Sequence, residues 1–160
     1  MAEHAPTGRL IAVEIDPASL ERGSTDAERE LAVAIADLVG DNVFQPEGLP
    51  PGRFRLKVAR ADQRLQLTIM SENGEPAGGV SISLVPFRKL VADYFLVCDS
   101  YYAALRTATP ARIEAIDMGR RAIHDEASAL LRERLRGKVS VDMETARRLF
   151  TLLCALHWKG

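Results

Sequence analysis

The sequence predicts an α+β fold: an N-terminal strand and helix, a small antiparallel sheet, then three helices packed on one face of that sheet. Three observations predict it. Apolar and polar residues alternate along two runs between residues 53 and 70, the pattern of strands with one buried and one wet face. At Pro86 the apolar period switches from 2 to 3.6 and stays there. Residues 109–137 (TPARIEAIDMGRRAIHDEASALLRERLRG) carry a helix start signal, a stop signal and an apolar stripe.

In chain order, residues 1–8 form a polar tail with Pro6 and Gly8, expected to be flexible. Leu10–Ile15 is rich in β-branched residues and reads as a strand ended by Asp16-Pro17. Ser24 or Thr25 opens a helix, with Glu28 completing a capping box after Thr25. Leu31, Ile35 and Leu38 fall at helical spacing, and Gly40 closes the helix. A short strand is expected at Asn42–Phe44, then a Pro- and Gly-rich loop. Three strands follow, Arg53–Arg60, Arg64–Met70 and Gly79–Val85. Ala61-Asp62-Gln63 and Glu72-Asn73-Gly74-Glu75 form the hairpin loops. Pro86 is preorganised for a first helical turn, and Phe87, Leu90, Val91, Tyr94, Val97 and Tyr101 begin a broad stripe that runs to about Ala108. Thr109 caps the next helix and Gly137 ends it. Lys138–Val141 is a short edge strand, and Asp142 caps the last helix. The sheet-rich half, 9–85, and the helical half, 86–160, are too small to be separate domains, so one domain over 1–160 is expected.

Composition excludes several classes. The chain is 47% apolar and 27% charged, as in globular proteins, so extensive disorder is not expected. Net charge is −1, which removes any global electrostatic case for nucleic acid or an anionic membrane. The charge is uneven: residues 1–85 carry 8 basic and 13 acidic side chains, a net −5, and residues 86–160 carry 13 and 9, a net +4. No window is apolar enough to span a membrane, and no secretory leader is read at the N-terminus. Cys98 and Cys154 sit in apolar helical surroundings and read as reduced core residues. The expected compartment is therefore the cytoplasm.

The chemistry worth seeking lies on the long helix. At ~100° per residue, Ile113, Ile116, Ile123, Ala127, Leu130 and Leu131 share one arc. Arg120 falls inside it, with Asp117 and His124 at its edge. A guanidinium on an apolar stripe must be paired or must reach out to water. One reading pairs it with Asp117, or with Asp93 or Asp99 of the preceding helix. The other makes Arg120, Arg121 and His124 a site for an anionic ligand. His157 enters as a neighbour of His124 in a shared pocket, or as a structural group beside a docked Trp158. His124-Asp125-Glu126 does not make a metal site, because adjacent helical residues diverge and no metal-binding spacing is present. No metal and no cofactor are expected. Arg132, Arg134, Arg136 and Lys138 cluster at a helix C-terminus, where the macrodipole favours cations, so RNA binding through 132–138 is the weaker reading. Leu96 falls opposite its helix's stripe, which leaves a neighbouring element or a homo-oligomer interface to cover it.

Pro86-Phe87-Arg88, Asp93-Tyr94-Phe95, Ser100-Tyr101-Tyr102, the run Arg106–Pro110, the run Ile113–Arg121, and Thr145–Gly160 ending Leu156-His157-Trp158-Lys159-Gly160 resemble uncharacterised protein family 0262. These are small bacterial proteins with no assigned activity. The resemblance extends more loosely to the residues before Pro86, and it implies no catalytic or binding residues. The functional expectation is thus a non-enzymatic interaction or regulatory module with an unknown protein partner. The alternative is a small enzyme or binding protein for an anionic small molecule held by Arg120, Arg121 and His124, with Asp117 and His157 nearby.

Overall fold

In a computed structural model of the chain, residues 7–19 and 25–157 are described, without the side chains of residues 25–27 and 157. Strand β1 (Arg9–Ile15) leads through a 3-10 turn (Pro17–Ser19) to helix α1 (Thr25–Gly40) and the short β2 (Phe44–Pro46). Strands β3 (Arg53–Ala61), β4 (Arg64–Ser71) and β5 (Pro76–Ser83) follow as a meander. A second 3-10 turn (Val85–Phe87) opens α2 (Arg88–Thr107), and α3 (Pro110–Leu135), β6 (Val139–Val141) and α4 (Met143–His157) complete the order. The fold is α+β. The capping box expected at Ser24 or Thr25 lies outside the described residues.

The main sheet has the order β1-β3-β4-β5. Its β3–β4–β5 part is antiparallel, as the alternation predicts, but β1 adds to β3 in parallel, so the sheet is mixed. A parallel neighbour needs a crossover, and the segment containing α1 supplies it. The register of β1 shifts between Leu10 and Ala12. This bulge explains a run, LIAVEI, that does not alternate. Leu10 pairs with Phe54, Val13 with Leu56 and Ile15 with Val58, so all three reach the inner face. The first hairpin loop is tighter than expected, only Asp62-Gln63, with Asp62 at φ 56°. The second places Gly74 at φ 85°, a conformation that only glycine adopts without strain.

Phe54, Leu56, Val58, Leu65, Leu67, Ile69, Val80 and Ile82 form the buried face of the sheet. The helices cover that face: α1 packs on α4, α4 on α3 and α3 on α2. Ala34 and Leu38 of α1, Leu131 and Leu135 of α3 and Phe150, Leu152 and Leu153 of α4 reach the core. The caps read from sequence are present. Thr109 Oγ1 accepts from the Arg112 N–H at 3.3 Å, and Asp142 Oδ1 from the Thr145 N–H at 2.8 Å. The helix beginning at Pro110 stops at Leu135, with Gly137 at φ 82° beyond it.

The strand expected at Asn42–Phe44 begins only at Phe44, and the side-chain amides of Asn42 and Gln45 hold the backbone around its start. Asn42 Oδ1 accepts from the Leu10 N–H at 2.6 Å, while its Nδ2 donates to the Leu38 and Leu10 carbonyls at 2.8 and 3.0 Å. It ties the end of α1 to β1. Gln45 Oε1 accepts from the Gly8 N–H at 2.8 Å, and Gly8 O accepts from Phe44 N–H at 2.9 Å. Gly8, read from sequence as the end of the tail, is therefore anchored. A Cβ there would lie 2.4 Å from Phe44 O. The two-stranded β2–β6 sheet then pairs Phe44 with Val141.

The long helix is two regions in one. Its buried residues are Ala127, Ser128, Leu131 and Leu135. Ile113, Ile116 and Ile123 are only half-buried, so the first half of α3 is less enclosed than the second. Leu96 is 66% exposed, so no element of the described chain covers it.

Candidate functional site

The candidate residues fall in the layer where α2, α3 and α4 meet. Asp117, Arg120 and Arg121 form one cluster on α3. Arg120 Nε and Nη2 donate to Asp117 Oδ1 at 3.1 and 2.5 Å. Arg121 Nε lies 3.0 Å from the other carboxylate oxygen. The i,i+3 and i,i+4 spacings make this possible within one helix. Asp117 thus holds both guanidinium groups. Hydrogen bonding from Arg120, reinforced by both positive charges, keeps its carboxyl below the usual aspartate range against the opposing effect of desolvation. Burial works against the Arg120 charge, but Asp117 and the Tyr94 hydroxyl outweigh it and raise its pKa further. Arg120 Cζ also lies 4.9 Å from the Tyr101 ring centroid, within cation–π range. Asp93, another partner considered from sequence, is instead bonded to Lys89 at 2.8 Å.

His124 stands one turn further along. Its ring is 5.4 Å from Tyr94 and 5.1 Å from Phe150, centroid to centroid. Its Nε2 lies 2.9 Å from Thr151 Oγ1. The Thr151 hydroxyl donates to the Arg147 carbonyl at 3.1 Å, so it accepts from Nε2–H, which assigns the tautomer. Ser128 Oγ donates to the His124 carbonyl at 2.7 Å and lies 3.4 Å from Nδ1. Burial lowers the His124 pKa, and the charges of Arg147 and Arg120 add to that against Asp125. The imidazole is a neutral, aromatic-flanked pin between α3 and α4. Asp125 itself is bonded to Arg147 at 2.8 Å, and Arg147 also pairs with Glu144. The His157 side chain and Trp158, the remaining site candidates, lie outside the described residues.

Two cations of the basic cluster are structurally employed. Arg132 Nε donates to the Val141 carbonyl at 2.9 Å, and Arg136 pairs with Glu133 at 3.2 Å. On the sheet, Arg53 pairs with Glu72, whose carbonyl accepts from Arg55. Cys154 is buried and Cys98 half-buried. Burial raises both thiols, so neither is a ready nucleophile. Among the described residues, no group of three or more His, Cys, Asp or Glu is placed to hold a metal ion.

Sequence reasoning missed what lies beside this layer. A groove of about 480 Å³ runs between α1 and α2, floored by Thr151, Cys154 and Ala155 of α4. Its α2 wall begins at Tyr94 and Cys98, so the back of the polar layer is the side of the groove. Arg120, Arg121 and His124 do not line it. Its α1 wall presents Glu30, Val33 and Asp37. The signal was there in the sequence: Val33 sits off the apolar stripe of α1, between two acids at helical spacing. An external anion at Arg120 would have to displace Asp117, whereas the groove is open.

These features describe an α+β protein with a closed ion cluster beside an open, acid-rimmed groove. The sequence pattern of the uncharacterised protein family UPF0262 matches residues 7–159, and the chain belongs to that family. It is 56% identical over the full length of both chains to a UPF0262 protein of Azorhizobium caulinodans. It is 57% identical to one of Nitrobacter winogradskyi, over 95% of this chain and 91% of that one. A Rhodopseudomonas palustris relative is 56% identical over 95% of this chain and 93% of its own. No solved structure matches. The family is uncharacterised, so these likenesses bring no activity. No helix among the described residues is long and apolar enough to cross a membrane.

Proposed function

We propose that the chain is a single-domain, cytoplasmic, non-enzymatic interaction module that engages a partner through the groove between α1 and α2. The groove carries this reading. It leaves Val33 and Tyr102 54% and 63% exposed on its walls, whereas Asp117 occupies both candidate guanidinium groups beside it. An apolar strip with a polar rim is a common form of recognition surface.

The test is a photo-crosslinking amino acid placed at Tyr102 in the native cell, with Thr68 on the exposed sheet face as the control position. A discrete crosslinked protein at Tyr102 and none at Thr68 is the expected result. Equal labelling at the two positions would remove the reading. So would a turnover activity lost on Arg120→Ala in a protein that remains folded.

A further inference from the structure

We infer that the groove takes a basic amphipathic helix from the partner. The inference deepens the interaction reading and rests on it. Shape is the first argument. α1 packs on α4 and α2 on α3, and the space between α1 and α2 has a floor of α4 residues. Two helical walls over a helical floor can seat one more helix, through side chains spaced i, i+3, i+4 and i+7. A volume of about 480 Å³ lies within the usual range of binding sites, ~300–1,000 Å³.

Charge is the second argument. Among the described residues, the rim carries Glu30, Asp37 and Asp99 against one cation, Arg29. Among the described residues, none of these three carboxylates forms an ion pair, although seven other acidic side chains do. Glu30 and Asp37 come from the α1 wall and Asp99 from the α2 wall, so carboxylates stand on both sides of the groove. A helix with an apolar face would cover Val33 and Tyr102, and its flanking Lys or Arg side chains would meet the carboxylates. One such cation could also stack on the exposed Tyr102 ring.

The probe is a fluorescein-labelled synthetic peptide of Leu and Lys at helical spacing, titrated with the purified full chain and followed by anisotropy. Asp37→Lys combined with Asp99→Lys should weaken binding about tenfold or more, and Tyr102→Ala should weaken it several-fold, as central interface contacts do. Glu72→Lys combined with Glu75→Lys changes net charge equally on the far hairpin and should change affinity less than about twofold. Circular dichroism verifies that each variant is folded.

Equal weakening by both charge reversals would reduce the binding to non-specific attraction and overturn the inference, as would absence of binding. Tighter binding by a chain lacking residues 158–160 would give the groove to the chain's own tail. Self-association abolished by the Asp37 and Asp99 reversals would give it to a second copy. Either result overturns the inference. A crosslink at Tyr102 to a partner segment that is not basic would defeat this inference and leave the interaction reading standing.

Discussion

Thr145→Val tests the join on which the position of α4, and hence the groove floor, depends. Thr145 is fully buried, and its Oγ1 accepts the Val43 N–H at 2.8 Å across 102 residues of sequence. Valine keeps the shape and removes the acceptor, leaving a backbone N–H unsatisfied at the corner where β2 meets β6. Such a group costs about 1–3 kcal/mol. For a chain of this size each kcal/mol moves the melting temperature by about 2–4 °C, so a fall of roughly 2–12 °C is expected. Urea titration and thermal melts followed by circular dichroism measure it. Thr145→Ser keeps the acceptor and deletes one methyl, worth about 0.8 kcal/mol, and should be the milder change. A Thr145→Val protein within about 0.5 kcal/mol of the parent, or one more stable than Thr145→Ser, would refute the reasoning. It would show that methyl packing, not the hydrogen bond, holds the corner.

Two further predictions concern the N-terminus and pH. Gly8→Ala drives a Cβ against the Phe44 carbonyl and the Phe54 ring, so a loss of about 1–3 kcal/mol is expected in a urea titration, and a neutral result would show that residue 8 is not held as described. For His124, burial sets the folded pKa below the ordinary 6.5. Between 6.5 and the lower folded value the unfolded chain binds more protons, so stability falls as pH drops through that window and is unaffected above it. The urea midpoint should fall less in His124→Gln than in the parent on going from about pH 7.5 to 5.5, and an equal fall in both would exclude His124 as the source.

The meander was legible because alternation is local: Phe54, Leu56 and Val58 declare their face without reference to the rest of the chain. The helix caps at Thr109 and Asp142 were legible for the same reason. The placement of β1 was not. Its bulge at Ile11 erases the alternation, and its parallel partner lies beyond a whole helix. Nor could the sequence distinguish a backbone strand at Asn42 from an amide side chain that supplies the same hydrogen bonds. Arg120 stood out correctly as a cation needing a partner, but three carboxylates were within reach on paper. The choice of Asp117 follows from the way α2 lies along α3, with Lys89 occupying Asp93 and Asp99 turned to the groove. The groove itself lies between helices that pack on different neighbours, α1 on α4 and α2 on α3, a relation with no local signature.

The ion cluster and the groove share Tyr94, and this changes how a substitution at Arg120 should be interpreted. The Tyr94 hydroxyl acts on the Arg120 charge, its ring packs on His124 and Phe150, and the same residue lines the groove. Arg120→Ala therefore changes the surroundings of a groove-wall residue, and lost binding in that variant does not by itself make Arg120 a ligand anchor. A double-mutant cycle separates the two roles. If Arg120 acts by holding Tyr94, then Arg120→Ala and Tyr94→Phe each weaken binding of the Leu/Lys peptide, and the double variant is no worse than the more affected single. If Arg120 anchors an anion, inorganic phosphate should bind the parent, bind Tyr94→Phe equally well, and fail to bind Arg120→Ala. Asp117→Asn sharpens the contrast, because it removes the carboxylate that an anion would have to displace. Phosphate affinity would rise in that variant on the anchoring account, whereas on the positioning account peptide binding would fall as Arg120 loses its hold.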